Sequence, residues 1–201
     1  MFRLILLDRD GVINEDSPDY IKSAAEWRPI PGSLEAIASL RSEGRLVGVC
    51  TNQSGIGRGI FTTQALAQIH ETMHEALRTR QSDLSALVFC PHHPEDGCRC
   101  RKPAPGMLLK LMQGLQVAAN ATCFVGDSMS DLLAAQQAGV QPILVRTGKG
   151  AETEEELVKG QVPASVNVMG APKSGSRPPI VFDDLQAVAS ALLSDKVAET
   201  S

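Results

Sequence analysis

The sequence predicts a doubly wound α/β fold built on a parallel sheet, and three observations carry that expectation. Short apolar runs of strand length alternate with longer stretches whose apolar residues recur at helical spacing. Acids, amides or glycines follow directly on several of those runs, and parallel sheets gather ligands at the carboxyl ends of their strands. The 201 residues suffice for one substantial domain with its own core, so residues 1–201 are read as a single unit.

The first run, Leu4 to Leu7, leads into Asp8-Arg9-Asp10-Gly11. Strand side chains repeat every second residue, so the two acids step off the strand end in a similar direction. Such a pair suits a hard cation such as magnesium, held through oxygen, or a nucleophile beside a proton-transfer group. The bland alternative is an acidic turn. The polar stretch from Val12 to Tyr20 is a loop over that strand end. A helix follows from Ser33 to Gly44, with Leu34, Ile37, Ala38 and Leu40 on its apolar face. Leu46 to Cys50 is a second buried strand, ending in Thr51-Asn52-Gln53-Ser54-Gly55-Ile56-Gly57-Arg58-Gly59. Hydroxyl, amide and backbone N–H groups there can donate to phosphate, and Arg58 adds a charged fork. The glycine spacing is not a nucleotide fingerprint, because no Gly-Lys-Ser/Thr follows.

The next helix, Thr63 to Thr79, contains His70-Glu71-Thr72-Met73-His74, a match to the zinc-protease pattern. An amphipathic helix packed through Leu66, Ile69, Met73 and Leu77 explains it better, since a protease reading leaves Asp8, Asp10 and the cysteines below unused. Ala86 to Phe89 is a third strand. It runs into Cys90-Pro91-His92-His93 and on to Cys98-Arg99-Cys100, placing three thiols and two imidazoles within eleven positions. Two close pairs, Cys90 with His92 and Cys98 with Cys100, can close around one tetrahedral zinc ion, with His93 as the alternative nitrogen ligand. Four protein ligands leave no open position, so the expected zinc is structural. Arg101 and Lys102 follow at once, held by Pro103 and Pro105, and suit phosphate binding.

A helix from Pro105 to Gly114 precedes a fourth strand, Thr122 to Val125, which again delivers acids: Asp127, a candidate ligand for a cation near Asp8 and Asp10, and Asp131, a helix cap or supporting group. That helix ends at Ala138, and Gln141 to Val145 is a fifth strand. Residues 148–179 read as a long surface excursion containing a short acidic segment, without an assignable role. Ile180 to Phe182 suits an edge strand, and Asp183 opens a last helix with Leu185, Val188, Leu192 and Leu193 inward.

Composition removes several classes of function. The net charge is −4 with no basic block, which argues against general nucleic-acid binding. No stretch is apolar enough to span a bilayer, and no secretory signal is apparent, so a cytoplasmic protein without a membrane partner is expected. Five cysteines are an odd number and argue against a disulfide framework.

Taken together, Asp8-x-Asp10-Gly11, Thr51-Asn52, Lys102 and Gly126-Asp127 with Asp131 resemble the haloacid dehalogenase-like phosphotransferases, over the span from Leu4 to Val145. Within that superfamily, Asp8 to Asn14, Thr51 to Gly59 and Cys90 to Pro103 are most similar to the heptose bisphosphate 7-phosphatases. Histidinol-phosphate phosphatases share the zinc loop and are the alternative. The resemblance implies a Rossmann-like enzyme without a large cap domain. It implies Asp8 as nucleophile, forming an aspartyl-phosphate, and Asp10 as acid and then base. It implies magnesium on Asp8, the Asp10 carbonyl and Asp127, and the transferring phosphoryl on Thr51 and Lys102. Arg101, Asn52 to Ser54, and Asp16, Ser17, Pro18 and Asp19 would recognise the rest of a small phosphorylated sugar, with Arg58 facing its other phosphate. A monomer feeding nucleotide-activated heptose synthesis is implied. Two departures stand out: Ser128 replaces a lysine carried by some relatives, and the stretch between His92 and Cys98 is short. The contrasting class is a zinc-stabilised module that binds a phosphorylated ligand without chemistry, which would need no acid pair.

Overall fold

The computed structural model describes residues 2–160 and 177–199, without the side chains of 195–199. Six strands, β1 (Leu4–Leu7), β2 (Leu46–Asn52), β3 (Ala86–Cys90), β4 (Thr122–Gly126), β5 (Gln141–Val145) and β6 (Ile180–Phe182), form one sheet. Its order is β3-β2-β1-β4-β5-β6, and every neighbouring pair is parallel. The chain therefore winds outward from β1 in one direction, then crosses back beside β1 to wind in the other. The crevice between β1 and β4 is the switch point where such sheets bind ligands.

Helices α1 (Ser33–Ser42), α2 (Thr63–Arg78), α3 (Gly106–Leu115), α4 (Met129–Ala138), α5 (Gly150–Val158) and α6 (Leu185–Glu199) complete the fold. All four residues of β1 are fully buried, and their alternation feeds two cores. Ile5 and Leu7 join Ile37 and Leu40 of α1, Ile69 and Met73 of α2, and Val188 of α6. Leu4 and Leu6 join Leu108 and Leu111 of α3 and Ala134 and Ala135 of α4. A strand apolar at every position can only sit between two helical layers, so β1 must be central.

Two strands carry site residues beyond the ends that the sequence suggests. β2 runs on through Thr51 and Asn52, which pair with Phe89 and Cys90 of β3. The third strand likewise includes Cys90, so the first thiol is fixed by the sheet itself. The surface excursion expected over 148–179 also needs correction, because Gly150–Val158 is helical. That helix escaped notice because its Glu-rich sequence shows little apolar periodicity. Polar contacts hold it instead: Arg146 pairs with Glu154 at 2.7 Å, and the buried Thr153 hydroxyl donates to the Asp127 carbonyl at 2.9 Å. The remainder of the excursion, 161–176, lies outside the described residues. Edge strand β6 and α6 stand where expected.

Phe124 in β4 lies in the core, and its ring centroid is 5.4 Å from the Lys102 amine that stands over it. Phe124→Ala is therefore expected to cost about 3–5 kcal/mol of folding stability, measured by denaturant unfolding. A change below about 1 kcal/mol would mean that the core closes over the missing ring.

Candidate active site

Strand ends bring the predicted acids together. Asp8 continues β1, its N–H bonding to the Val125 carbonyl at 2.8 Å, and Asp127 follows β4. Asp8, Asp127 and Asp131 each offer a carboxylate oxygen within 4.8 Å of the others. Lys102 reaches in from the far side. Its amine is buried, 2.8 Å from Asp8 Oδ1 and 2.6 Å from Asp131 Oδ1. Burial alone would lower the lysine's pKa, but the Asp131 and Asp8 carboxylates outweigh it and keep the amine charged.

Lys102 is held by its backbone as well. Asn52 forms a reciprocal amide pair with it, Nδ2 donating to the Lys102 carbonyl and Oδ1 accepting from the Lys102 N–H, both at 3.1 Å. Sequence reasoning placed Asn52 among substrate-binding groups. It does line the cavity, but its amide is engaged in positioning Lys102. Asp131 is both cap and support. It sits in the first turn of α4, where it accepts from the Ser128 N–H at 3.0 Å and hydroxyl at 2.6 Å, while its other oxygen meets Lys102.

Asp10 is held differently. The buried Arg9 guanidinium donates to it at 2.8 and 2.9 Å through Nη2 and 3.1 Å through Nε. Asn14 Nδ2 and Gln53 Nε2 add bonds of 2.9 Å each. Burial would raise the Asp10 pKa, but Arg9 and these hydrogen bonds overcome it and hold the carboxyl below its usual range. Asp8 and Asp127 go the other way. Burial first, then neighbouring carboxylates, push Asp8 up to about 7 despite Lys102, and Asp127 up to about 8. Three crowded carboxylates against one amine leave the floor short of positive charge, and their oxygens are the hard donors a divalent cation prefers. The residues present fit such an ion.

The loop after β5 closes the site and is the main feature that sequence reasoning missed. Gly148 and Gly11 pack against each other and against Asp127, and both have positive φ. A Cβ on Gly11 would lie 2.0 Å from Asp127 Oδ2, so both positions require glycine. The loop then donates the Lys149 N–H to Asp127 Oδ2 at 2.9 Å and sends the Lys149 amine to Asp16 at 2.8 Å. Its position after a parallel strand was the available signal. Arg9 was also missed, because it reads as a spacer between two acids. The cavity enclosed is about 350 Å³, the scale of a small-molecule site. Among predicted residues, Asp16, Ser17, Pro18, Thr51, Gln53, Ser54 and Arg101 line it, as do Tyr20 and Ile21, which were not predicted. Asp19 and Arg58 are exposed and do not line it. A neighbouring cavity of about 430 Å³ shares Arg101, Lys102, Ser128 and Lys149 with it.

The cysteine cluster closes as the spacing suggested. Sγ atoms of Cys90, Cys98 and Cys100 lie 3.4 to 3.6 Å apart, and His92 Nδ1 lies 3.5 Å from Cys90 and 3.2 Å from Cys100. Ligand separations of about 3.6–3.8 Å follow from tetrahedral zinc bond lengths, so the donor set and its geometry fit that ion. His93 is engaged elsewhere, its Nδ1 accepting from the Glu95 N–H at 3.3 Å. The two histidines of the protease-like motif do not converge: His70 faces Arg9, and His74 pairs with Asp83.

A switch-point crevice carrying these acids and a buried lysine defines a hydrolase of the haloacid dehalogenase-like class, and the family described as HAD-hydrolase-like matches residues 99–169. A D-glycero-β-D-manno-heptose-1,7-bisphosphate 7-phosphatase of Pseudomonas aeruginosa is 46% identical over 190 residues, covering 94% of this chain and 97% of the relative. The chain belongs to the D-glycero-β-D-manno-heptose-1,7-bisphosphate 7-phosphatase family. The crystal structure of a D,D-heptose 1,7-bisphosphate phosphatase from Bordetella bronchiseptica, complexed with magnesium and phosphate, matches with TM-score 0.83 and 44% identity, covering 96% of this chain and 99% of that one. The corresponding Burkholderia thailandensis structure gives TM-score 0.68 and 37% identity, covering 96% and 99%.

Because Asp8 and Asp127 hold protons near neutrality when no cation is bound, cation binding must displace them. Magnesium affinity is expected to weaken as pH falls from about 8 to about 6, with proton release on binding, measured by titration calorimetry in two buffers. A pH-independent affinity would contradict the crowded-carboxylate account.

Proposed function

We propose that this chain is a magnesium-dependent phosphatase that removes the 7-phosphate of D-glycero-β-D-manno-heptose 1,7-bisphosphate through an aspartyl-phosphate on Asp8. The observation that carries the reading is the contrast between the two strand-end acids. Asp8 meets only the Arg9 N–H and Lys102, both at Oδ1, among the described residues. Asp10 is clamped by Arg9, Asn14 and Gln53. One is free to attack, the other is held to move protons.

In the first displacement, the free oxygen of Asp8 attacks phosphorus, and the bond from phosphorus to the sugar oxygen breaks. Asp10 gives that oxygen its proton. The donors around Asp10 favour its ionised form, and an arriving phosphoryl dianion shifts it toward the protonated form by like-charge repulsion. In the second displacement Asp10 takes a proton from water, which attacks the same phosphorus and frees Asp8. Thr51 and Lys102 bind the transferring phosphoryl group, and Lys102 holds charge beside it throughout. Asp8, the Asp10 carbonyl and Asp127 would hold magnesium, which when bound offsets the charge between carboxylate and phosphoryl group. Cys90, His92, Cys98 and Cys100 would hold a structural zinc.

The rest of the substrate meets the rim: Asp16, Ser17 and Pro18 on one side, Gln53, Ser54 and Arg101 on the other. Ser128 stands where some relatives carry lysine, and Lys149 supplies a cation from the opposite loop. Lys149 and Arg101 line both cavities, which suits a substrate with a second phosphate.

The test is phosphate release with magnesium from both anomers of the heptose bisphosphate and from histidinol phosphate, with Asp8→Asn as blank. Preference for the β heptose, and no turnover by Asp8→Asn, are expected. Preference for histidinol phosphate would move the chain to that activity with the mechanism intact, whereas an active Asp8→Asn would end the mechanism. Lys149→Ala should raise KM about tenfold while kcat changes less, because it removes a charge-assisted contact of about 1.5 kcal/mol to a part of the substrate that does not react. Cys98→Ser should lower thermal stability more than it lowers magnesium affinity, since the zinc is assigned to folding the loop.

A further inference from the structure

We propose that His70 is a positioning residue for this reaction: its Nε2 accepts a hydrogen bond from Arg9 and so fixes the guanidinium that holds Asp10. The proposal rests on the reading of Asp10 as the proton-transfer group. Arg9 is fully buried, so every unengaged N–H on its fork carries a desolvation cost. Its Nε and Nη2 face Asp10, and its Nη1 lies 3.3 Å from His70 Nε2. A planar guanidinium pinned on one edge can still swing about that edge. Engagement of the second edge removes the swing.

The imidazole is itself well held. It sits on the buried face of α2 between Ile69 and Met73, and its ring packs against Phe89 of β3 with centroids 5.9 Å apart. The hydrogen bond requires a bare Nε2, hence a neutral ring with its proton on Nδ1. Burial, then the charge of Arg9 and the neighbouring His74, push the His70 pKa down to about 3, against a small opposing pull from Asp10. The lone pair directed at Arg9 is then present at any working pH. The same engagement explains why the protease-like spacing of His70 and His74 yields no metal site: one nitrogen is turned to Arg9 and the partner histidine to Asp83.

Loss of this contact should loosen Asp10 without removing any group that touches substrate. His70→Leu is therefore expected to lower kcat about tenfold with KM within about twofold, because misplacement of a proton-transfer group affects the chemical step. His70→Gln offers an amide oxygen near the lost nitrogen and should recover most of that kcat. A purely packing role predicts the reverse, since leucine fills an apolar site better than glutamine. Equal loss in both variants, or full activity in His70→Leu, would overturn the proposal.

A second measurement needs no variant and no substrate. In the wild-type protein carrying both metals, nitrogen-15 spectra of the imidazole should show the neutral, Nδ1-protonated tautomer of His70 from about pH 6 to about 8. A proton on Nε2, or a ring that titrates in that range, would overturn the proposal. This readout stands apart from the substrate assignment, so a failure of one is distinguishable from a failure of the other.

Discussion

The Lys102 amine, buried between Asp8 and Asp131, is the interaction on which the rest of the site depends. It places a positive charge where two strands of a parallel sheet deliver carboxylates side by side. A buried ion pair brings little net stability, because desolvation offsets its attraction, but removing one partner leaves an uncompensated charge costing about 3–5 kcal/mol. The surroundings are built accordingly. Phe124 floors the amine, Asn52 fixes its backbone, and Asp131 is oriented by Ser128 at the start of α4. The amine balances only part of the negative charge, and burial, followed by the neighbouring carboxylates, raises the pKa values of Asp8 and Asp127.

The cysteine cluster matters to this charge through the chain rather than through contact. Cys90 ends a strand of the sheet, and Cys100 lies two residues before Lys102. A cluster closed between them therefore sets where Arg101 and Lys102 emerge. Gly106, at the start of α3, packs against the Arg99 carbonyl so closely that a Cβ would lie 2.2 Å away, which tightens the same loop onto the helix that follows. On the opposite wall the loop after β5 does the corresponding work for Asp127 through Gly148 and Lys149. The two walls differ in kind: one is organised by sulfur and nitrogen donors, the other by close backbone packing of glycines.

Much of this was legible in the sequence, for a physical reason. Asp8 and Asp127 follow apolar runs directly, so local pattern alone places them at strand ends. The zinc-type ligands lie within eleven positions, and their density is a local signal too. What escaped depends on partners distant in the chain. Arg9 gains its meaning from burial under α2 and from His70, sixty-one positions away. Lys149 immediately precedes a helix held by polar contacts, which leaves little apolar periodicity to read. Asn52 was seen at the cavity, but its pairing with the Lys102 backbone was not, because that pairing spans fifty positions. Arg58, legible as a cation in a polar loop, is exposed and does not line the cavity. The one long-range feature that was legible, the order of the acid and lysine motifs along the chain, came from resemblance rather than from local chemistry.

The measurement that bears most directly on the central assignment is mass spectrometry of acid-quenched enzyme during turnover of the heptose bisphosphate with magnesium. The account predicts one added phosphoryl group on the peptide containing Asp8, localised to that side chain and lost after treatment with hydroxylamine. Turnover at full rate with no phosphorylated peptide under any quench time, or with the phosphoryl group on another residue, would contradict it.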